Sequence, residues 1–85
     1  MIQVITVYEM KTCPDCAEIN HLLQDKERFH RVDIGEHVSN MKAFIQLRDS
    51  HPAFDDAKKE GYIGIPCFVT KDDDVFFDLA DIRHA

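Results

Sequence analysis

The sequence predicts an α/β fold with the element order βαβαββα, in which a four-stranded mixed sheet is flanked by helices on both faces. Three observations predict it. A β-branched run opens the chain, a Cys-x-x-Cys follows at the head of a helical pattern, and a second strand-like run comes after that helix. A strand at this spacing completes a βαβ unit, whose strands pair in parallel through a right-handed crossover.

The first βα unit is predicted from residues 2–8 and from the helical pattern behind them. The strand is rich in Val, Ile, Thr and Tyr and is apolar on both faces, as in a central buried strand. A polar loop from Glu9 to Thr12 follows. Pro14 suits the first helical position, so we expect a helix from Pro14 to about Asp25.

The apolar stripe of this helix predicts which cysteine side chain points inward and which points outward. Residues recurring at intervals of three and four predict one buried side, made up of Cys16, Ile19, Leu22 and Leu23. Cys13 takes the cap position before the helix. The pattern therefore turns Cys16 inward and Cys13 outward.

A shorter strand and two further helices fill the middle of the chain. The strand covers residues 29–34 and ends at Gly35. Ser39 or Asn40 is the expected cap of the second helix, which Pro52 ends. Its predicted stripe consists of Val38, Met41, Phe44, Ile45 and Arg48, with Leu47 beside it. Residues 53–60 are expected to add one helical turn before Gly61.

The last part of the chain predicts a hairpin and a short helix. An apolar strand begins at Ile65 and Pro66, because a proline is tolerated at a strand start. A polar turn at residues 71–74 leads to an antiparallel strand at residues 75–77. Asp78 is the expected cap of a final helix through Leu79 and Ile82.

Composition and charge restrict the partners. The 85 residues, of which 45% are hydrophobic and 31% charged, form one domain over residues 1–85. A formal net charge of -6 argues against nucleic acid or an anionic membrane, since both bind a basic face. A disulfide-containing protein or a small thiol remains as the expected partner, and we expect a monomer.

The cysteine count indicates a reducing compartment. Three cysteines do not suit a secreted disulfide framework. The start of the chain lacks a basic head, a long apolar stretch and a cleavage site, so we expect no signal peptide. No run approaches the length of a membrane span. The expected location is therefore cytoplasmic.

The main candidate site is the Cys-Pro-Asp-Cys stretch at residues 13–16. Two cysteines separated by two residues at a helix start can close a small disulfide with little backbone movement, and the bond reopens when a thiolate attacks it. The same spacing forms half of many zinc sites, but no second Cys-x-x-Cys or His-x-x-x-His follows. This context favours a redox dithiol over a metal site or a pair of inert core cysteines.

In order and in motif the chain resembles the glutaredoxins of the thioredoxin superfamily. The matching stretches cover nearly the whole chain: Val7-Tyr8, Thr12-Cys13-Pro14-Asp15-Cys16, Val32-Asp33-Ile34 and Ile65-Pro66-Cys67-Phe68-Val69. The resemblance implies a thioredoxin/glutaredoxin-like fold. It also implies that the Ile65-Pro66 bond is cis and lies beside the dithiol, so that these two residues form a wall for a bound peptide or glutathione.

The expected function is that of a small thiol-disulfide oxidoreductase. A thiolate at a helix start is stabilised by the unpaired N–H groups there, which makes Cys13 the nucleophile and Cys16 the resolver. Lys11 and Thr12 are expected to bind substrate; Lys11 adds positive charge or is simply a solvated loop lysine. No cofactor or metal is expected to be bound. Electrons come from glutathione or from a glutathione- or thioredoxin-linked reductase.

Two departures from the glutaredoxin pattern modify this expectation. Asp15 replaces an aromatic residue, and its carboxylate opposes a neighbouring thiolate. Phe76 and Phe77 fall where the family carries two glycines that hold the γ-glutamyl end of glutathione. Glycine permits a close backbone approach that phenylalanine blocks, so we expect glutathione to be used poorly.

A second class of function stays open: Cys13, Cys16 and Cys67 holding zinc or an iron–sulfur cluster. Cys67 alone reads more simply as a small core hydrophobe. The five histidines stand without partners at ligand spacing, which favours surface or packing roles. The aspartates at 72–74 lack the other residues of a calcium loop, and a hairpin turn explains them.

Overall fold

The computed structural model describes residues 4–79, and a four-stranded sheet forms its centre. The strands are β1 (Ile5–Glu9), β2 (Phe29–Asp33), β3 (Cys67–Val69) and β4 (Val75–Phe76). The α-helices are α1 (Pro14–Glu18), α2 (Val38–Ser50) and α3 (Asp55–Glu60), and 3₁₀ turns cover Asn20–Leu23 and Pro52–Phe54. Within the described part of the chain, no helix is both long and apolar enough to span a lipid bilayer.

The sheet is mixed, with the strand order β2-β1-β3-β4. β1 and β2 are parallel, in the register Val7 opposite Arg31. β1 and β3 are antiparallel, with Tyr8 opposite Cys67, and β3 and β4 form an antiparallel hairpin. The predicted βαβ unit, the mixed sheet and the hairpin are confirmed.

Both faces of the sheet are covered by helical segments, as predicted. β1 contributes to both sides because successive side chains of a strand point to opposite faces. One core cluster combines Ile5, Val7, Leu23, Phe29 and Phe68, and the other combines Ile34, Phe44, Phe54 and Cys67. Ile19 packs on the first, next to α1, while Met41 and Leu47 of α2 pack on the second.

The first helix is shorter than the sequence predicts. α1 ends at Glu18, because Ile19 leaves the helical conformation at φ -100° and ψ 4°, and the chain continues as a 3₁₀ turn. Three residues per turn change which side chains face inward. Leu23 is therefore buried, whereas Leu22 is 45% exposed, and placing Leu22 in the apolar stripe was wrong.

The cap of α2 differs from the prediction as well. His37 has an extended backbone, and its Nδ1 accepts a hydrogen bond of 3.1 Å from the Ser39 N–H. Neither Ser39 nor Asn40 is the cap; the Asn40 side chain instead donates to the Asp33 carbonyl. Val38 and Ile45 are exposed, so the buried side of α2 is narrower than the predicted stripe.

The helical turn predicted before Gly61 is confirmed and is extended by the preceding 3₁₀ turn. Gly61 ends α3 in the left-handed conformation at φ 83°. β4 stops at Phe76, one residue earlier than expected, and Phe77 lies outside the sheet. The predicted final helix reaches beyond residue 79 and lies outside the described residues.

Candidate dithiol active site

Cys13 is held by the backbone at the junction between the β1 loop and α1. Its N–H donates to the Met10 carbonyl at 3.0 Å, and its own carbonyl accepts the first helical bond from the Ala17 N–H at 3.0 Å. Cys13 takes the cap position in an extended conformation, and Pro14 opens the helix, as the sequence predicts. Its thiol makes no capping hydrogen bond, so the sulfur is available for other chemistry.

The two thiols of the motif differ in exposure and are in contact. Cys13 is half-buried, whereas Cys16 is 3% exposed. Burial first, and then the hydrogen bond that the Cys16 S–H donates to Cys13, raise the pKa of Cys16 to about 12. Both cysteines are free thiols in the structure. The predicted orientation, Cys16 inward and Cys13 outward, is confirmed.

α1 offers a Cys13 thiolate a short helix start. The helix has five residues, so its contribution comes from the unpaired N–H groups of the first turn rather than from a long dipole. Asp15 lies in the same turn and is exposed to solvent. Its carboxylate therefore opposes negative charge on Cys13 through water, which screens the repulsion.

Ile65 and Pro66 come to the same edge of the sheet as the dithiol. The bond between them is cis, as the resemblance implied. Because β3 runs antiparallel to β1 and Cys67 lies opposite Tyr8, Pro66 lies next to the point where β1 leads into the loop that carries Cys13. Both residues are half-buried, which leaves part of each surface accessible.

Cys67 lies behind this edge. It is fully buried and belongs to the cluster of Phe44 and Phe54. Burial raises the pKa of the Cys67 thiol to about 12, and negative charge on Cys16 adds to the effect. Among residues 4–79, no three His, Cys, Asp or Glu side chains form a group able to hold a metal ion.

An ion pair between Glu9 and Arg31 adjoins the dithiol. Arg31 Nε lies 2.7 Å from Glu9 Oε2, and Nη2 lies 2.7 Å from Oε1. Arg31 also donates to the Asn20 side chain. The hydrogen bonds to Glu9 are the main cause that raises the pKa of Arg31.

The sequence pattern does not indicate this pair, because it places Glu9 in a polar loop, whereas Glu9 ends β1 and is 8% exposed. The signal was present in the alternation of β1. Glu9 shares a face with Val7, and Val7 lies opposite Arg31 in the parallel register.

A cavity of about 410 Å³ opens beside Cys16. Its lining consists of Glu9, Met10, Lys11, Cys16, Ala17, Asn20, Arg31 and Asp33. A neighbouring hollow of about 460 Å³ is lined by Met10, Lys11, Thr12, Asp33, Gly35 and Glu36. Lys11 and Thr12 therefore lie along one side of the dithiol, whereas Ile65 and Pro66 line neither space.

The remaining residues that the sequence singles out take part in packing, helix capping or a turn. Phe76 packs against the first core cluster, and the Phe77 ring meets the Phe54 ring edge-on at 5.2 Å. His37 and His51 cap helical segments with their rings, which agrees with the expected packing roles. Asp73 adopts φ 65° in the hairpin turn, as a turn aspartate can.

Comparison with known proteins shows a similarity over nearly the whole chain. No family model matches the chain, and no solved structure matches it. A protein of Haemophilus influenzae described as an uncharacterized protein is 37% identical over 81 residues, covering 91% of this chain and 91% of its own length. The similarity therefore extends over nearly the whole domain.

Proposed function

We propose that this chain, which belongs to the same family as that Haemophilus influenzae protein, is a small thiol-disulfide oxidoreductase. The observation that carries the proposal is the asymmetry of the dithiol. A half-buried Cys13 at a helix start is hydrogen-bonded to a buried Cys16. A reactive outer thiol and a protected inner one are what a two-step disulfide exchange requires.

In the first step Cys13 is the nucleophile. Its thiolate attacks one sulfur of the substrate disulfide, the substrate S–S bond breaks, and a mixed disulfide forms between Cys13 and the substrate. The departing substrate thiolate takes a proton from water. The free N–H groups at the start of α1 stabilise the Cys13 thiolate before the attack.

In the second step Cys16 resolves the mixed disulfide. Its proton passes to the departing substrate sulfur as it attacks the Cys13 sulfur; the bond between Cys13 and the substrate breaks, the Cys13–Cys16 disulfide forms, and the second substrate thiol is released. The substrate gains two electrons and the protein loses two. The contact between the two cysteines makes this step intramolecular, with a high effective concentration. Burial first, and then the hydrogen bond to Cys13, raise the pKa of Cys16 to about 12, which keeps this thiol protonated at neutral pH in the reduced protein.

Substrate binding is proposed for residues on two sides of the dithiol. Lys11 and Thr12 are exposed in the loop before Cys13, and Ile65 and Pro66, which directly precede β3, present half-buried surface. Lys11 offers a charge to a polar group of the substrate. The other two offer an apolar wall and the backbone of Ile65.

A thioredoxin/glutaredoxin-like fold is part of the proposal. The parallel β1–β2 pair, the antiparallel β1–β3 pair and the β3–β4 hairpin support it, as does the cis bond at Pro66. The dithiol follows β1, at the carboxyl end of that strand. Sites of open α/β sheets are found at such ends.

A coupled assay tests the proposal. NADPH consumption is followed with bis(2-hydroxyethyl) disulfide as substrate, first with glutathione and glutathione reductase and then with a thioredoxin reductase. The proposal predicts turnover with at least one of these donors and none for a Cys13→Ser variant. Absence of turnover with both donors, together with no reduction of the disulfide by the prereduced protein, would rule the function out.

The same preparation addresses the alternative, a metal or iron–sulfur protein that uses Cys13, Cys16 and Cys67. Protein purified without chelators and under reducing conditions is measured for zinc and iron and for visible absorption. We expect a colourless protein with no stoichiometric metal. Stoichiometric metal that is lost in Cys67→Ser would favour the alternative.

A further inference from the structure

We infer that a surface formed by Tyr62, Ile63 and Phe77 docks the substrate of the dithiol, and that this substrate is a protein segment carrying apolar side chains beside basic ones. The inference rests on the proposed function and names the substrate class for it. These three residues form the docking surface.

The three side chains are large, apolar and exposed. Tyr62 is 67% exposed, Ile63 55% and Phe77 41%. Phe54, which is fully buried, lies between Phe77 and the backbone that follows Tyr62 and Ile63. The Phe77 ring packs edge-on against one side of it at 5.2 Å. Gly64 faces the same ring so closely that an added Cβ would lie 2.9 Å from two of its carbons. Phe77 and Gly64, the residue directly after Tyr62 and Ile63, therefore contact the same ring.

Arg48 of α2 fixes this segment in place. Its Nε donates to the Ile63 carbonyl at 2.8 Å, and its Nη2 donates to the Tyr62 carbonyl. The Tyr62 N–H donates to the Ala57 carbonyl at 2.8 Å. An exposed apolar segment held by three hydrogen bonds loses little conformational entropy when a partner binds. The segment is therefore preorganised for a partner.

An acidic turn borders the docking surface. Asp72, Asp73 and Asp74 are exposed and outnumber the single lysine of the turn, Lys71. His51 connects the turn to Phe54: its ring packs edge-on against Phe54 at 6.4 Å, and its Nε2 lies 2.8 Å from the Asp73 carbonyl. His51 therefore links the backbone of this acidic turn to Phe54, in a chain whose net charge is -6.

The docking surface is continuous with the redox site. Ile63 and Gly64 lead directly into Ile65 and Pro66, and Pro66 precedes Cys67 in β3, opposite Tyr8 of β1. A substrate segment that packs on Tyr62 and Ile63 is thereby placed along the wall beside the dithiol. A polypeptide substrate can cover this apolar surface with its own apolar side chains. A small polar thiol has no apolar groups with which to cover the surface. The bordering carboxylates select basic partners and steer their approach.

A single-turnover experiment with synthetic disulfide peptides tests the inference without requiring the natural electron donor. Three peptides of equal length carry the same intramolecular disulfide and differ in the residues around it. One carries leucine and lysine, one leucine and glutamate, and one serine and lysine. Bis(2-hydroxyethyl) disulfide is the fourth probe. The prereduced protein is mixed with each probe, and the second-order rate constant of its reduction is measured.

We expect the peptide with leucine and lysine to react about tenfold faster than either of the other two peptides. A tenfold gain from leucine corresponds to burying roughly 55 Å² of apolar area, and we expect a gain of the same size from the attraction between lysine and the carboxylates. The lysine preference is expected to shrink as the salt concentration rises, because exposed charges are screened, whereas the leucine preference is expected to persist. The Tyr62→Ser/Ile63→Ser variant is expected to lose the leucine preference. Asp72→Asn/Asp74→Asn is expected to lose the lysine preference.

Matched variants separate docking from general damage. Val38→Ser/Ile45→Ser removes two exposed apolar side chains from α2, and Asp56→Asn removes an exposed carboxylate from α3. Both controls are expected to behave like the wild type with every probe. The docking variants are expected to reduce bis(2-hydroxyethyl) disulfide at the wild-type rate, which shows that the dithiol itself is intact.

The outcomes distinguish the inference from the proposed function. Equal rates for the three peptides, or equal losses in the docking and control variants, would overturn the docking surface while normal reduction of bis(2-hydroxyethyl) disulfide left the oxidoreductase in place. Failure to reduce any of the four probes would remove the proposed function, and the docking surface with it.

Discussion

Glu9 and Arg31 are joined by two hydrogen bonds of 2.7 Å each beside the cavity that Cys16 lines. Arg31 extends the contact to Asn20 in the 3₁₀ turn that follows α1. The pair thus connects the edge strand β2 to the central strand β1 and to the segment behind the dithiol. Because Glu9 is almost fully buried, its charge depends on Arg31 for compensation.

Removing the arginine is therefore expected to be costly. Arg31→Met leaves a buried carboxylate without its partner and should lower the free energy of unfolding by roughly 2 kcal/mol. Lys58→Met is the matched control, since Lys58 pairs with the exposed Asp55 at 3.6 Å, and such a surface pair contributes about 0.5 kcal/mol or less. Urea unfolding at pH 7 measures both. Equal losses in the two variants would show that the Glu9–Arg31 pair is no more important than a surface pair.

Alanine substitutions at two glycines separate the cost of backbone strain from the cost of side-chain crowding. Gly64 has φ 97°, and an added Cβ would lie 2.9 Å from the Phe54 ring; Gly61 has φ 83° with open space around it. We expect Gly61→Ala to cost about 1 kcal/mol from the backbone conformation alone and Gly64→Ala roughly 2 to 3 kcal/mol. Thermal or urea unfolding of both variants gives the comparison. A Gly64→Ala variant as stable as Gly61→Ala would mean that Phe54 moves away freely.

Alkaline pH is expected to destabilise the reduced protein through its buried thiols. Burial raises the pKa of Cys67 from its ordinary value of 9.0 to about 12, so the folded state binds more protons than the unfolded state between these values. The resulting stabilisation is complete below about pH 9 and is lost as the pH rises toward 12, at about 1.4 kcal/mol per pH unit for one thiol. Cys16, whose pKa is also raised to about 12, acts in the same direction.

Urea unfolding at several pH values between 8 and 11, under a reducing agent, measures this slope. Cys67→Ala is expected to show a shallower decline than the wild type. Val69→Ala, a neighbouring truncation in β3 without a titrating group, is expected to keep the wild-type slope while losing stability at every pH. Identical slopes in all three proteins would contradict a titration of Cys67.

Glutathione is expected to be a poor electron donor. Phe76 occupies β4 opposite Phe68, and Phe77 packs on Phe54, so both positions carry rings where the resemblance expects glycines. Each charge-assisted hydrogen bond to a γ-glutamyl group that is blocked weakens binding by roughly 1.5 to 3 kcal/mol, and two of them correspond to about a hundredfold or more.

The efficiency of glutathione as a donor is measured as turnover with glutathione and glutathione reductase. A dithiol glutaredoxin under the same conditions is the reference. Comparable turnover would contradict the prediction and would direct mutagenesis to Asp73 and Asp74 as alternative contacts for the ammonium group.

The sequence was sufficient for the sheet and for the motif because both depend on local signals. The strand runs, the proline after Cys13 and the proline at 66 each specify their own backbone. Three features were not predicted: the early end of α1 at Glu18, the cap supplied by His37, and the ion pair of Glu9. The first two are local, since Ile19 leaves the helical conformation and the His37 ring accepts from Ser39, whereas the ion pair joins two strands. An imidazole is an uncommon cap, and a glutamate after an apolar run reads as the start of a loop. Only the register of β1 against β2 brings Glu9 to Arg31.

The Arg48 contacts also depend on tertiary structure. An arginine within the apolar stripe of α2 gives no indication that its partners are the carbonyls of residues 62 and 63. Gly61 and Gly64, which flank these two residues, both adopt positive φ, a backbone conformation that the pattern of apolar and polar residues does not specify.

The division of labour between Cys13 and Cys16 is the central claim, and trapping the reaction intermediate tests it most directly. Prereduced Cys16→Ser and Cys13→Ser variants are mixed with a disulfide peptide and analysed by mass spectrometry without reducing agent. We predict a stable mixed disulfide on Cys13 in Cys16→Ser and none on Cys16 in Cys13→Ser, because Cys16 is buried and its pKa is raised to about 12. A mixed disulfide on Cys16 that forms as fast as the one on Cys13 would contradict the assignment of nucleophile and resolver.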